Sequence, residues 1–376
     1  MKILLLSCNA GQGHNSAASA VKEALENRGV TCDMKDALSF AHIRSTSRIV
    51  SGTYIGMVSK APLVFGGVYK AGDIMGSPNF HSPVYYFNAL SAGRLGRFIE
   101  KGGYDGVVMS HVFGAQMLTR LKSRRRRRSC PRTYCVATDY TSTPLWEETT
   151  PDYFFIPHED LAEEFVKKGI PMEKLVPTGI PISPRYNVKI DKAEARRRLC
   201  IPEDALVYLV MTGSMGFGNI SDIVSGIIEN STRANIAIMV MTGKSKKLQE
   251  RITEDFKWEK RVIAVPFTTE VPLYMDACDV VLTKPGGLST TEAAVKGVPL
   301  VHTKPIPGCE TRNAVFFAEK GMAVPAWSNR TTASIAVKLA ENSSARNAVG
   351  EAQRREMPKN AADSIAKFII DDVTGM

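Results

Sequence analysis

Cysteine is scarce, 7 in 376 residues, and no two form a C-x-x-C pair; the nearest, Cys130 and Cys135, are too far apart for one. A disulfide framework and a zinc ribbon are therefore poor fits, and a reducing compartment suits the count. No stretch reaches the ~18 uninterrupted apolar residues that a membrane span needs. The opening MKILLLSCNAGQGH is too short an apolar segment for a secretory leader and runs into a Gly-rich turn, so it reads as a first core strand. Internal repeats at solenoid periods are also lacking.

What is present is an ordinary globular balance, 44% hydrophobic and 23% charged, which argues against disordered, collagenous and coiled-coil chains. The length suggests two or three domains. Lys and Arg number 48 against 38 Asp and Glu, a formal charge of +10. That excess points to an acidic partner: nucleic acid, an anionic membrane or a phosphorylated ligand. No RNP, helix-turn-helix or OB-like signature accompanies it, so no nucleic-acid partner is expected.

Short β-branched runs alternate with longer helical patterns. Strands are expected near Ile3–Ser7, Val107–Ser110, Tyr134–Thr138 and Tyr153–Ile156, then Val207–Thr212, Ile236–Thr242, Val262–Val265, Val280–Thr283, Leu300–Thr303 and Met322–Pro325. Helices are expected over Ala17–Asn27, Asp160–Lys168, Leu288–Lys296 and Thr311–Lys320. This alternation means α/β with parallel sheets. The pattern restarts after the breaker-rich stretch Pro177–Pro184, which puts a boundary at about residue 185. The expectation is a first Rossmann-like domain over 1–185 and a second over 186–355. A C-terminal helix within 356–376 packs back on the first. The ligand site belongs in the cleft at the carboxyl ends of the strands. Residues 45–100 break the alternation with Gly, Ser and aromatics. They read as an insertion covering the sheet or as a surface that meets something apolar.

Three motifs carry chemistry. Thr283-Lys-Pro-Gly-Gly-Leu-Ser-Thr-Thr-Glu292 is a strand end, a Pro-Gly-Gly turn and a helix start, with Pro305-Ile-Pro-Gly-Cys-Glu310 and Asn313 beyond it. A helix N-terminus offers free N–H groups, and Gly286 and Gly287 let phosphates approach the backbone, with Ser289 and Thr290 in the first turn. Glu292, one turn in, can accept two hydrogen bonds from vicinal ribose hydroxyls. The plainer reading is a chain turn with Glu292 complementing the helix dipole. A second loop, Thr212-Gly-Ser-Met-Gly-Phe-Gly218, has the wrong glycine spacing for NAD, and no acidic residue follows at the right distance. Gly213 and Ser214 there flank a diphosphate or sugar, or simply connect strand to helix. In Asn9-Ala-Gly11-Gln-Gly13-His14 a histidine follows a Gly-rich strand–helix turn, a placement suited to a general base. Asp139, ending another strand, orients His14, binds a substrate hydroxyl or caps a turn. His158 in IPHED reads as a helix start. The run Arg124, Arg125, Arg126, Arg127, Arg128 is a solvated loop or an anionic-lipid contact.

At NAGQGH, ATDY…W and LTKPGGLSTTEAAVKGVPLV…PIPGCETRNAVFF the chain resembles the diacylglycerol glycosyltransferases: monogalactosyldiacylglycerol synthases and bacterial processive diacylglycerol glucosyltransferases, of the family 28 type. More distantly it is similar to the N-acetylglucosaminyltransferase that completes lipid II. The resemblance implies a GT-B fold, two Rossmann-like domains facing across a cleft. It implies an inverting transfer from UDP-glucose or UDP-galactose, as substrate, to a diacylglycerol-type lipid, with neither metal nor cofactor. Gly286, Gly287 and Ser289 would meet the diphosphate, Glu292 the ribose, backbone near Phe267 and Thr268 the uracil, and Glu310 and Asn313 the transferred sugar or diphosphate. His14 matches the family's proposed base, with the first domain holding the acceptor. Residues 45–100 and Arg124–Arg128 would dock on an anionic membrane, placing the protein in the cytoplasm, peripheral on the inner face of the plasma membrane. Two positions depart from the family pattern: Thr143 stands where a His often precedes Trp146, and Cys309 where Gln is usual. Rival readings are transfer to a polyprenyl-diphosphate lipid, a UDP-sugar epimerase, and a membrane-associated nucleotide-sugar sensor.

Overall fold

The computed structural model describes residues 1–9, 12–40, 81–124, 130–211 and 220–375. They form two units, one of Met1–Pro184, Pro307–Cys309 and Pro358–Met376, the other of Arg185–Ile306 and Glu310–Met357.

Unit 1 holds six parallel strands: β1 (Lys2–Ser7), β2 (Thr31–Asp36), β3 (Gly106–Met109), β4 (Arg132–Val136), β5 (Tyr153–Ile156) and β6 (Leu175–Pro177), in the order β2-β1-β3-β4-β5-β6. The direction of strand addition reverses between β1 and β3, which makes their carboxyl ends the crevice where open α/β sheets take ligands. Central strands are apolar runs because both faces are covered; Ile3 through Leu6 are fully buried. One face packs on the helices Gln12–Glu26 and Ala361–Thr374, which contribute Ala18, Val21, Leu25, Ile365 and Ile369 to a core shared with Leu5, Val108, Tyr134 and Phe155. Alanines on the first helix let it approach closely. Arg28 forks onto Asp363 at 2.8 Å, and Tyr134 donates to Asp372 at 2.6 Å, fastening the last helix to the sheet.

Unit 2 holds β7 (Leu206–Met211), β8 (Ile236–Gly243), β9 (Val262–Pro266), β10 (Val280–Thr283), β11 (Leu300–His302) and β12 (Val324–Pro325), all parallel in the order β12-β11-β10-β7-β8-β9. Its switch point lies between β7 and β10. Tyr208, Val210, Ile238, Val240 and Leu282 form its core with the helices Ile220–Asn230 and Asn329–Glu341.

Two strands, β2 and β6, were not expected from the sequence, and both are sheet edges. β2 reads TCDMKD and none of its side chains is fully buried; with one neighbour and a half-wet surface it needs no apolar run. β6 is only three residues long and ends at Pro177, the first of the breakers.

Candidate functional site

In unit 1 the carboxyl ends of β1, β3 and β4 converge on His14, in the first turn of the helix Gln12–Glu26. Its Nδ1 lies 2.8 Å from the Ser110 carbonyl, just past β3, and 3.1 Å from Thr138 Oγ1, just past β4. A carbonyl only accepts, so Nδ1 carries the proton and donates it, and Nε2 carries the lone pair. The ring is half-buried. Burial lowers its pKa below the ordinary histidine value, and the Asp139 charge and the Ser110 bond offset this only in part. Burial thus favours the neutral form of the His14 ring. His111 meets it edge-on with ring centroids 4.6 Å apart and is held well below its usual value by burial and by His14 itself. Gly13 sits beside His14 in the helix start; Gly11 lies outside the described residues.

Ser7 and Asn9, which precede the turn into this helix, are tied to Asn15 and Asp36, two residues the sequence did not single out. Ser7 Oγ donates to Asn15 Oδ1 at 2.5 Å, Asn15 Nδ2 to Asn9 Oδ1 at 2.8 Å, and Asn9 Nδ2 to Asp36 Oδ2 at 2.8 Å. Trp146 is a core residue, buried edge-on against Phe154 at 5.6 Å. His158 caps a short helical turn by accepting from Asp160 N.

In unit 2 the chain leaves β10 through Lys284, Pro285 and Gly286 and enters the helix Gly287–Lys296. Gly286 is the N-cap residue and supplies no side-chain cap, so it leaves the first N–H groups of this helix, with their share of the dipole, to other partners. Among the described residues, a Cβ built on Gly286 would find no atom beyond its chain neighbours within 4 Å. Asn313, buried, donates from Nδ2 to Pro285 O at 2.9 Å and holds the turn. Glu310 receives Lys284 Nζ at 2.7 Å on one oxygen and Ile306 N at 3.1 Å on the other, tying the PIPGCE loop to the end of β10. Ser289 is half-buried. The Thr290 hydroxyl is turned inward to His302 Nε2 at 3.2 Å, and its N–H is bonded to Gly286 O.

Glu292 lies one turn behind the helix start. Burial raises its carboxyl to about 8, and a hydrogen bond from Tyr186 works against the rise. Phe267, 59% exposed past β9, carries Lys244 Nζ 5.0 Å from its ring centre, a flat surface of the kind a base stacks on. Thr268 Oγ1 accepts from Glu270 N at 3.0 Å. Gly213, Ser214 and Arg125–Arg128 lie outside the described residues, as does the Arg124 side chain.

Sequence reasoning missed Ser110, Thr138, Lys284 and Tyr186. Each reaches its partner across a long stretch of chain, so no local signal announces it.

Residues 14–182 match the family profile of monogalactosyldiacylglycerol (MGDG) synthase, and residues 207–370 that of the glycosyltransferase family 28 C-terminal domain. A processive diacylglycerol beta-glucosyltransferase of Staphylococcus saprophyticus is 32% identical over 187 residues; that match spans 50% of this chain and 47% of the relative. The protein of the same name from Bacillus licheniformis is 24% identical over 326 residues, 86% of this chain and 82% of the relative. Among solved structures, MurG of Acinetobacter baumannii matches with a TM-score of 0.63 at 13% identity, covering 98% of this chain and 99% of that one. MnaA of S. aureus, solved with UDP, matches at 0.66 and 12% identity over 100% of this chain and 97% of that one. These likenesses show the fold: the two Rossmann-like sheets are those of GT-B proteins.

Proposed function

The chain belongs to the monogalactosyldiacylglycerol synthase and processive diacylglycerol glucosyltransferase family, and from that premise we propose that this glycosyltransferase moves glucose or galactose from its UDP-sugar to a diacylglycerol-type hydroxyl at a membrane surface, inverting the anomeric centre without a metal. One observation carries the reading: the helix start at Gly286–Ser289, at the unit 2 switch point, with open space at Gly286 among the described residues and a half-buried, largely desolvated carboxyl one turn behind. A sugar nucleotide's diphosphate and ribose call for that pairing.

In this reading the diphosphate rests on the N–H groups of Gly287, Leu288 and Ser289, the ribose hydroxyls donate to Glu292, and uracil lies by Phe267 and Thr268. Asn313 and Glu310 act through the turn and loop they hold. The lipid hydroxyl is placed at His14 Nε2 and gives up its proton there as its oxygen attacks the anomeric carbon. The bond to the UDP oxygen breaks in the same step. The charge that develops on UDP is met by the helix start, preorganised donors standing in for a cation. Tyr86 and Leu90, 60% and 68% exposed, with Phe87 and the exposed Arg94 and Arg97, support contact with an anionic bilayer.

The test is UDP release from UDP-glucose and from UDP-galactose, with and without diacylglycerol in anionic vesicles. Lipid-dependent release with one donor preferred is expected. UDP binding without lipid-dependent release would sink the diacylglycerol assignment. Release with a polyprenyl phosphate instead, or sugar epimerisation without an acceptor, would identify what replaces it.

A further inference from the structure

The helix Pro83–Ala89 turns Tyr85, Asn88 and Ala89 inward and leaves Val84, Tyr86 and Phe87 exposed, with Leu90 exposed just beyond it. The inward positions follow helical spacing, but one of them is an amide in place of a hydrocarbon. Asn88, buried, donates from Nδ2 to Gln116 Oε1 at 2.7 Å, and Gln116, also buried, donates from Nε2 to Glu148 Oε2 at 2.6 Å. Glu148, buried as well, accepts from Ser82 N at 2.5 Å and from Ser82 Oγ at 2.9 Å, and Ser82 is the N-cap of the same helix. One carboxyl group therefore holds the helix at its start directly and near its end through Gln116. A paired buried polar network of this kind fixes one arrangement where apolar contacts alone tolerate several.

Both anchors stand on segments that leave the sheet beside His14. Gln116 lies one turn into the helix Val112–Arg124, which follows Ser110 and His111, the carbonyl and the ring that meet His14. Glu148 ends the short turn Trp146–Glu148, on the segment that follows β4 and Thr138. That turn opens on Leu145 at φ 77°, a left-handed conformation that costs a residue other than glycine about 1–2 kcal/mol and persists where the surroundings over-determine it. We infer that Glu148 is a positioning residue for the lipid acceptor: with Ser82, Gln116 and Asn88 it fixes the exposed apolar helix on the segments that carry the partners of His14, so that a hydroxyl drawn from a bilayer reaches His14 at a set depth. The inference rests on the diacylglycerol chemistry and membrane contact proposed above and deepens them. Glu148 touches neither substrate, and an acceptor already dispersed in solution does not need it.

The test is UDP release by the full chain, from UDP-glucose and from UDP-galactose, with two acceptors: long-chain diacylglycerol in phosphatidylglycerol vesicles, and a short-chain diacylglycerol dispersed below its aggregation limit. Misplacing an acceptor by about an ångström can cost roughly a hundredfold. In Glu148→Ala, kcat/KM for the vesicle acceptor should therefore fall by about 10- to 100-fold, while the rate with the dispersed acceptor and the affinity for UDP stay within about twofold of the native values. Asn88→Ala, which releases the helix from Gln116 alone, should show the same split at smaller size. Glu148→Gln, whose amide can continue the hydrogen-bonded chain with Gln116 and Asn88 turned end for end, should keep most of the vesicle rate. An equal loss with both acceptors would make Glu148 a support of the whole site and overturn the inference, as would a vesicle rate unchanged in both Glu148→Ala and Asn88→Ala. No release by the native protein with either acceptor would overturn the diacylglycerol reading itself, and this inference with it.

Discussion

Gly286 has φ −77° and ψ 143°, a conformation open to any residue, and a methyl group there would meet no atom of the described residues beyond its chain neighbours within 4 Å. Beyond its fitness as an N-cap, nothing among the described residues calls for glycine here, which suits the approach of a ligand. Gly286→Ala should cost the fold no more than about 1 kcal/mol, the difference between glycine and alanine as N-cap, and lose about tenfold or more in UDP affinity, the cost of a misplaced methyl group. A fall in midpoint with unchanged UDP binding would make Gly286 a folding residue. At His14 the expected loss on replacement by Ala is roughly 10²–10⁴-fold in turnover with UDP binding intact. Its proton balance gives a sharper test. Burial holds the pKa below the ordinary value while Asp139 raises it, so the acid limb of activity, where Nε2 becomes protonated, should lie below the ordinary histidine value. Asp139→Asn removes the raising charge. The acid limb of kcat/KM should then move to lower pH, whereas an unmoved limb would separate Asp139 from His14.

Between elements, the Lys296–Asp276 pair joins the helix Gly287–Lys296 to the helix Val271–Ala277 and to the backbone at Val188 and Ile190. Removing one member of a buried pair strands the other's charge, a cost of about 3–5 kcal/mol, whereas replacing both with apolar residues of similar volume is often nearly neutral. Lys296→Met should therefore lower the unfolding free energy in urea by that amount, and Lys296→Met with Asp276→Leu should recover much of it. Equal losses in the single and double variants would mean that the backbone ties to Val188 and Ile190, rather than the charges, are what matter. This connection shows why the elements were easier to read from the sequence than their junctions. β1, β7 and β10 announce themselves as apolar runs because both faces are covered, while β2 and β6 are edge strands without that pressure. His14 and the Pro-Gly-Gly turn were legible because strand, turn and helix are contiguous in sequence. Ser110 and Thr138 stand 96 and 124 residues from His14, and only the parallel order of the sheet brings them to its ring.

For the whole molecule the formal charge is +10, and Arg124–Arg128 supplies half of it. The exposed apolar group Tyr86, Phe87 and Leu90 is carried by a separate segment. If both serve membrane contact they should do so by different physics, and salt separates them. Attraction of arginines to anionic headgroups, about 1 kcal/mol for each side chain near the surface, is screened over roughly 8 Å at physiological ionic strength. Burial of aromatic and leucine side chains in the interface is hardly screened at all. Replacing the five arginines with Gln should abolish most of the salt-sensitive part of sedimentation with phosphatidylglycerol vesicles and leave a salt-resistant remainder. Tyr86→Ser with Leu90→Ser should do the reverse. In both variants binding of soluble UDP should stay as in the native chain, because the Gly286 turn, Glu292 and Phe267 belong to unit 2. Sedimentation unchanged in both would take away the membrane-facing role of these segments while leaving the donor site as described.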